Sequence, residues 1–581
     1  MTGLLELRKT FYFKEINVKI EDMNREELVD FVKKLKSKRK LGLVWEDEKS
    51  REIFAVDAKR EFPYFEEITE NHISDSNSDP INFLIEGDNF FALSLLQYSH
   101  RNSIDVIYID PPYNTGNKDF KYNDQYIDRE DGYRHSKWLS FMSKRMELAK
   151  KLLKDDGIII ISIDDNEIAQ LTMLSDGIFG ENNRLGPFIW FYEGVNDNNA
   201  FIKKTHEYIL VYKKTELIQL SKTIHDPNVS LKETISNSVV KNGTKNPISD
   251  VTLPIGFPCL REKGTISKKA VTSLSISNDF VIRDYKLEKK VIATSGWSSK
   301  DILQEFISND CQPVRDSKGQ LTTFAITNSG NINYYKVRDQ SYVLSVLRNL
   351  GTVANAGAEL SNMGIDFDYP KPPGLIKYLI SLHGNRNGLI LDFFAGSGTT
   401  GQAVLALNAE DGGSRSFILV TNNEGNICTD VCYPRIRKVM NGYLDKSGKQ
   451  IDGLGGNLVY LKSLFEEKSA NSDELKLRLA EKCVTLICLR ENVFDEINTK
   501  SINFRVFKNQ EKIVVIYNSF DLSDIKLANT YFGREDYSSK VLYGFSFDES
   551  VINFQDEMEI EDVRIEAIPQ KILEILGDIH V

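Results

Sequence analysis

Asp110-Pro-Pro-Tyr113 follows the apolar run Ile104-Asp-Val-Ile-Tyr-Ile109. A buried strand that ends in these residues presents a carboxylate, two carbonyls and an aromatic plate at one edge of a sheet. Proline lacks an N–H and has a locked φ, so Pro111 and Pro112 hold their carbonyls in place instead of joining a helix. The group suits a planar substrate with an exocyclic amine. The amine donates to Asp110 and a proline carbonyl while its ring stacks on Tyr113. A second site lies far downstream, where Asp392-Phe-Phe-Ala-Gly-Ser-Gly-Thr-Thr400 follows the apolar run Gly388-Leu-Ile-Leu391. Gly396 and Gly398 occupy a strand-to-helix turn, where lack of a Cβ permits positive φ and close backbone approach to a ligand. Turns of this kind serve nucleotides and adenosyl cofactors alike. This one lacks the Gly-Lys-Ser/Thr ending of a phosphate loop.

The elements that must carry these motifs begin at Phe83, where short apolar strands start to alternate with amphipathic helices. That alternation is the mark of a parallel α/β sheet. Helices are expected over residues 138–153 and 167–179, and strands over 158–163, 188–192 and 206–212. A helix follows the glycine turn from Thr399, and residues 417–421 read as the next strand. Upstream, the spacing of apolar residues over 24–35 predicts a helix, and residues 71–80 read as a polar linker. The loop over 114–135 is rich in Asp, Asn, Tyr and Lys. It reads either as a closure over a bound substrate or as a passive surface insertion.

Residues 215–345 lose the alternation and become rich in Ser, Thr, Asn, Lys and Gly, with Trp297, Tyr334 and Tyr335 interspersed. The α/β pattern resumes from Tyr369 to about residue 444. A mixed α/β segment follows, with a strand over 512–517. The expected layout is an N-terminal helical region (1–75), two halves of a catalytic domain (76–214 and 346–445), an insertion (215–345) and an acidic C-terminal domain (446–581).

The net charge of −11 conceals an uneven distribution. Residues 211–300 hold 15 Lys/Arg against 8 Asp/Glu, and residues 451–581 hold 15 against 24. The basic surplus of the insertion reads as phosphate contact or as a solvated basic face. Lys289 and Lys290 are its candidate DNA contacts. The acidic tail reads as a protein-contacting or purely structural part. No apolar run reaches membrane-spanning length, and the first residues lack a signal-peptide core, so the expected location is the cytoplasm. The six cysteines form no disulfide framework, and the pairs Cys428/Cys432 and Cys483/Cys488 lack common zinc spacings. They read as reduced thiols, with no metal site.

The two motifs together resemble the S-adenosylmethionine-dependent amino-methyltransferases of DNA. Their order, catalytic tetrad before cofactor turn, is similar to the β permutation of that family. Ile85-Glu-Gly-Asp88-Asn89, Arg134-His-Ser-Lys-Trp138, Gly157-Ile-Ile-Ile-Ile-Ser-Ile-Asp164 and Tyr369-Pro-Lys371-Pro372 add to the resemblance. They are similar to stretches of the Mod subunits of type III restriction–modification systems. The resemblance covers roughly residues 80–215 and 345–440. It implies a permuted Rossmann-like fold with an inserted target-recognition domain, and S-adenosylmethionine as cofactor. It also implies double-stranded DNA as substrate, a homodimer and a helicase–nuclease restriction partner.

Carried onto this sequence, the resemblance makes Asp110, Pro111, Pro112 and Tyr113 catalytic, with Asn114 beside them on DNA. It assigns Asp88, Asn89, Lys371, Pro372, Asp392, Phe394, Ala395, Gly396, Ser397, Gly398, Thr399 and Thr400 to the cofactor. An acid that holds the cofactor ribose usually ends the strand after the glycine turn. Here Thr421 is followed by Asn422-Asn423-Glu424, so Thr421, Asn422 and Glu424 all remain candidates. Asp rather than Ser as first letter of the tetrad implies adenine N6 rather than cytosine N4. The one Pro-Cys pair, Pro258-Cys259, lies away from both motifs, which argues against cytosine-C5 chemistry. RNA or protein-amide methylation, an orphan methyltransferase and a non-catalytic DNA-binding subunit are the competing readings.

Overall fold

The structure is a computed structural model. It describes residues 45, 61–75, 80–117, 119–122, 125–192, 202–218, 220, 223–225, 234–317, 320–337, 340–467, 472–533, 537–546, 550–557, 562–568 and 572. The helix expected over 24–35 lies outside the described residues. The chain divides into two compact units, residues 222–343 and the remainder on either side. The insertion was expected over 215–345.

The larger unit is built on one ten-stranded sheet. In chain order its strands are β1 (Glu61–Glu67), β2 (Ile81–Glu86), β3 (Ile104–Ile109), β4 (Leu153–Ile163), β5 (Arg184–Phe191), β6 (His206–Lys213), β7 (Val346–Leu347), β8 (Leu389–Asp392), β9 (Ser416–Thr421) and β10 (Asn457–Glu467). Their spatial order is β1-β10-β2-β9-β8-β3-β4-β6-β5-β7. The six strands from β10 to β4 run parallel, with antiparallel pairings at β1, β6 and β5. All six residues of β3 are buried. Its neighbours cover both faces, so β3 reads as a continuous Ile/Val/Tyr run rather than an alternating one.

Helix α1 (Asn89–Ser99) links β2 to β3, α2 (Arg134–Leu152) links β3 to β4, and α3 (Ile168–Phe179) follows β4. Farther on come α4 (Val353–Asn362), α5 (Pro373–Ser381), α6 (Thr399–Asp411) between β8 and β9, and α7 (Tyr433–Asn441). No helix among the described residues is long and apolar enough to cross a membrane.

The C-terminal segment differs from the expected separate domain. Strand β10 lies inside the sheet, between β1 and β2. Helices α8 (Ser472–Lys482) and α9 (Val484–Glu491) follow, and α9 packs on α1. Arg490 donates to the Tyr98 hydroxyl at 3.1 Å. Helix α1 is therefore buried from Phe90 to Tyr98, with α2 and α9 both against it. A second sheet of five strands runs from Asp495–Ile497 to Val563–Ile568 and belongs to the same unit. Acidic composition describes the exposed faces of this segment and carries no information about the strand it contributes to the sheet.

The smaller unit also departs from the irregular loops expected for it. It consists of short antiparallel strands and the helix Lys300–Ser308 around a core that includes Val251, Phe257, Phe280, Trp297, Phe306 and Phe324. Trp297 donates its indole N–H to the Ser249 carbonyl at 2.8 Å. Its strands are two to six residues long among the described residues, too short for their alternation to emerge from the sequence. Cys259 belongs to this core, and burial pushes its thiol up to about 12.

Candidate active site

Strands β3 and β8 are parallel neighbours, with Val106 opposite Ile390 and Ile107 opposite Leu391. Two segments far apart in sequence therefore end at the same edge of the sheet. Asp110 leaves β3 there, and Asp392 closes β8 there. Strand β2 delivers Asp88 and β9 delivers Thr421 to that edge as well. The carboxyl ends of parallel strands are where open α/β sheets bind ligands.

The tetrad is held from below. Trp138, fully buried on α2, donates its indole N–H to the Pro112 carbonyl at 2.8 Å. Tyr113 donates to Asp110 Oδ1 at 3.0 Å or to Glu207 Oε2 at 2.8 Å. Burial, with the charges of Asp110 and Glu207, holds its phenol well above the ordinary value. Lys371 Nζ lies 2.9 Å from Asp110 Oδ2 and 3.4 Å from Glu207 Oε2. Burial opposes the charge on Lys371, but the two carboxylates outweigh it and keep the ammonium above its usual range. Lys371 was expected on the cofactor; here it joins the tetrad.

Asn114 does not fit the DNA contact expected of it. It is fully buried with φ at 56°, and its amide donates to Glu167 Oε1 at 2.6 Å and to the Arg134 carbonyl at 3.3 Å. Asparagine tolerates this left-handed backbone better than most residues. Glu167 also pairs with His135 at 2.6 Å, so the residue after the tetrad anchors the loop from inside. Phe120 and Ile127 are buried farther along that loop, and Phe120 meets Phe141 edge-on at 5.2 Å. The loop is thus tied to α2 rather than being a passive insertion.

The glycine turn has two faces. Asp392 Oδ1 accepts the Phe394 N–H at 3.0 Å, and Oδ2 accepts the Thr400 hydroxyl at 2.5 Å. Burial pushes the Asp392 carboxyl up to about 7 in spite of these two donors. Arg435 of α7 is fully buried and donates to the Ser397 and Thr399 hydroxyls at 2.9 and 2.7 Å. The hydroxyls of Ser397, Thr399 and Thr400 therefore brace the turn internally instead of facing a cofactor. The two glycines also differ. A Cβ on Gly398 (φ 79°) would lie 3.0 Å from Cys432 Sγ, whereas one on Gly396 (φ 50°) would meet nothing closer than 3.8 Å. Gly398 serves packing against α7, and Gly396 leaves the open side.

Asp88 caps α1, its Oδ1 accepting the Phe90 N–H at 2.8 Å. Its other oxygen faces Arg145 at 3.5 Å. Arg145 also donates to Asn89 Oδ1 at 2.6 Å, and Asn89 donates to the Phe393 carbonyl at 2.8 Å. This chain joins the β2 and β8 ends of the edge. Phe394 is partly exposed beside it, while Ala395 and Pro372 are buried. Glu424 pairs with Lys121 of the loop, and Asn422 is exposed. Asn422 Oδ1 accepts the Glu424 N–H at 3.4 Å. Lys289 and Lys290 are exposed in the smaller unit.

Glu207, Arg145 and Arg435 were missed by the sequence reading. Glu207 had a signal, as a carboxylate inside the apolar strand His206-Glu-Tyr-Ile-Leu-Val-Tyr212. Arg145 and Arg435 sit on amphipathic helices among other basic residues, where charge is ordinarily solvated.

A family profile described as DNA methylase matches residues 104–427. The chain is 32% identical over 436 residues to the Mod subunit of the type III restriction-modification enzyme StyLTI of Salmonella typhimurium, across 69% of this chain and 59% of that protein. It is 32% identical over 395 residues to the EcoPI Mod subunit of Escherichia phage P1, across 60% of this chain and 59% of that protein. The type II methyltransferase M.KpnI of Klebsiella pneumoniae is 31% identical over 361 residues, 60% of this chain and 82% of that protein. The chain thus spans about 59% of the length of the two Mod subunits.

Proposed function

The chain belongs to the DNA methylase family, and from that premise we propose that it methylates N6 of adenine in DNA as a type III modification subunit, with S-adenosylmethionine as methyl donor. The observation that carries the reading is the parallel pairing of β3 with β8, which brings Asp110 and the glycine turn to one edge. The residues at that edge suit the cofactor. Gly396 leaves its Cβ side open, Phe394 offers a partly exposed ring, and Asp88 keeps a partly exposed carboxylate. When bound, S-adenosylmethionine supplies an electrophilic methyl group on a sulfonium.

Adenine N6 is a poor nucleophile because its lone pair is delocalised into the ring. Asp110 and the Pro111 carbonyl accept hydrogen bonds from the amine and draw the nitrogen toward a tetrahedral form. Holding the reactants in place contributes on the order of 7–11 kcal/mol. The target atom is inaccessible in a duplex, so the base must flip out at a cost of a few kcal/mol. Stacking on Tyr113 offsets roughly 1–3 kcal/mol of that cost. Asp110 need not be a strong base, since its proton arrives from a nitrogen already made cationic.

The exposed lysines of the 222–343 unit suit DNA phosphates, and a homodimer would divide target reading from base capture. A restriction subunit is the partner this reading implies, in the cytoplasm. Radiolabelled methyl transfer to duplex DNA, RNA and protein tests the substrate class. Transfer to duplex DNA alone is expected; transfer to RNA or protein instead would reject the reading.

A further inference from the structure

Both oxygens of Asp110 are occupied: Tyr113 donates to Oδ1 at 3.0 Å and Lys371 to Oδ2 at 2.9 Å. Each oxygen keeps a second lone pair, so a substrate amine competes with the Tyr113 hydroxyl for Oδ1 or shares that oxygen with it. Each donor has a second acceptor within reach, and it is the same atom. Glu207 Oε2 lies 2.8 Å from the Tyr113 hydroxyl and 3.4 Å from Lys371 Nζ. We propose that Glu207 is a positioning residue that receives the Tyr113 hydroxyl when a substrate amine claims Asp110, while Lys371 bridges both carboxylates throughout. This inference rests on the proposed methyl-transfer reading.

A phenol carries one O–H, so Tyr113 serves one carboxylate at a time, whereas the three protons of an ammonium serve both. Rotation of the Tyr113 O–H toward Glu207 frees Oδ1 without moving the ring on which the base stacks. Lys371 and the Glu207 side chain are 8% and 14% exposed, so neither the ammonium nor its acceptor can retreat into water. Where the amine takes the place of the Tyr113 hydroxyl on Oδ1, loss of Glu207 would leave a half-buried phenol without its second acceptor, which is costly. Tyr108, bonded to Ser162 at 2.9 Å, and Asp392 also face Asp110, and Tyr192 faces Glu207 and Lys371. Among these groups Lys371 is the cation set between the two carboxylates.

The experiment uses the full chain, with DNA from cells lacking methylation as substrate, and reads single-turnover transfer against pH. Glu207→Gln should slow transfer by about tenfold or more with unchanged DNA affinity, because it removes the charged acceptor but keeps the shape. Lys371→Met leaves two facing carboxylates, one of which retains a proton to higher pH. Its acid limb should move up by about one pH unit or more and return in K371M/E207Q. Infrared spectra supply a readout independent of activity. Asp392, pushed up to about 7, contributes a band of its own, so spectra are read as differences from wild type: an additional protonated carboxyl band should appear near about pH 7 in K371M and vanish in the double variant. Normal transfer in E207Q, or an acid limb and band unaltered in K371M, would overturn the inference. An inert wild type would reject the functional reading, and the infrared bands would then decide the carboxylate pairing alone. E207Q keeps the side-chain shape and remains a test should K371M not fold.

Discussion

Lys371 Nζ sits 2.9 Å from Asp110 Oδ2 and 4.9 Å from the centre of the Tyr113 ring. One buried cation thus ties the segment before the glycine turn to both chemical ends of Asp-Pro-Pro-Tyr. The two motifs at this edge are linked by a charge pair as well as by the β3–β8 ladder. Lys371 is buried and the Asp110 side chain is 26% exposed, so water screens the pair only in part and a change at Lys371 is felt at Asp110.

The two glycines of the turn should separate ligand binding from folding. Gly396→Val meets nothing closer than 3.8 Å at its Cβ; its φ of 50° is left-handed and costs some stability, but the variant should abolish S-adenosylmethionine binding by calorimetry in a chain that still folds. Gly398→Val adds to the same left-handed strain a 3.0 Å contact with Cys432 Sγ, so it should lower the melting temperature further. The cost should be at least about 1–3 kcal/mol. Unchanged cofactor affinity in G396V would remove the pocket from this turn.

Trp138→Phe keeps a ring in the core but withdraws the donor to the Pro112 carbonyl. An orphaned buried acceptor costs about 1–3 kcal/mol, so transfer should fall roughly 10- to 100-fold if that bond sets the tetrad's geometry. Cofactor affinity should hold, because no group that faces the cofactor is removed. Single-turnover rates and calorimetry on the same preparation check both halves.

Asp392 predicts a pH dependence of stability. Its carboxyl is pushed up to about 7 in the folded chain, against about 3.9 when unfolded. Between these values the folded chain binds more protons, so this residue's contribution falls as pH rises through the window, by at most about 1.4 kcal/mol per unit. Below about pH 4 both states are protonated and the contribution is whole. Asp392→Asn should flatten this part of the profile, measured by urea unfolding between about pH 4 and 8. A profile identical to wild type would show that Asp392 is ionised in the folded state.

What the sequence made legible follows burial and spacing. The run Ile104–Ile109, its prolines and the glycine turn announced β3, β8 and their edge because strand, ring and glycine effects are local. Asp110 and Asp392 were therefore read before any geometry. Glu207 was not, since its role depends on Lys371, which the resemblance assigned elsewhere, and on β6 lying next to β4. Asn114 was placed on DNA because it directly follows the tetrad that the resemblance makes catalytic. The left-handed turn that buries it against Glu167 has no signature in composition. Strand β10 stayed hidden within an acidic segment, since net charge averages over exposed and buried faces.

Lys289 and Lys290 are exposed, as DNA contacts must be, and charge reversal at both should weaken duplex binding and lower its salt slope. Each phosphate that is no longer neutralised should reduce the slope by about 0.9. Titrations at several salt concentrations check this. An unchanged slope would move phosphate binding to other residues.

Mass spectrometry of DNA from cells expressing the chain tests the central claim most directly. The wild type should deposit N6-methyladenine, and Asp110→Ala should deposit none although the purified variant still binds S-adenosylmethionine and DNA. N4-methylcytosine as the product, or N6-methyladenine at near-normal levels from D110A, would contradict the account.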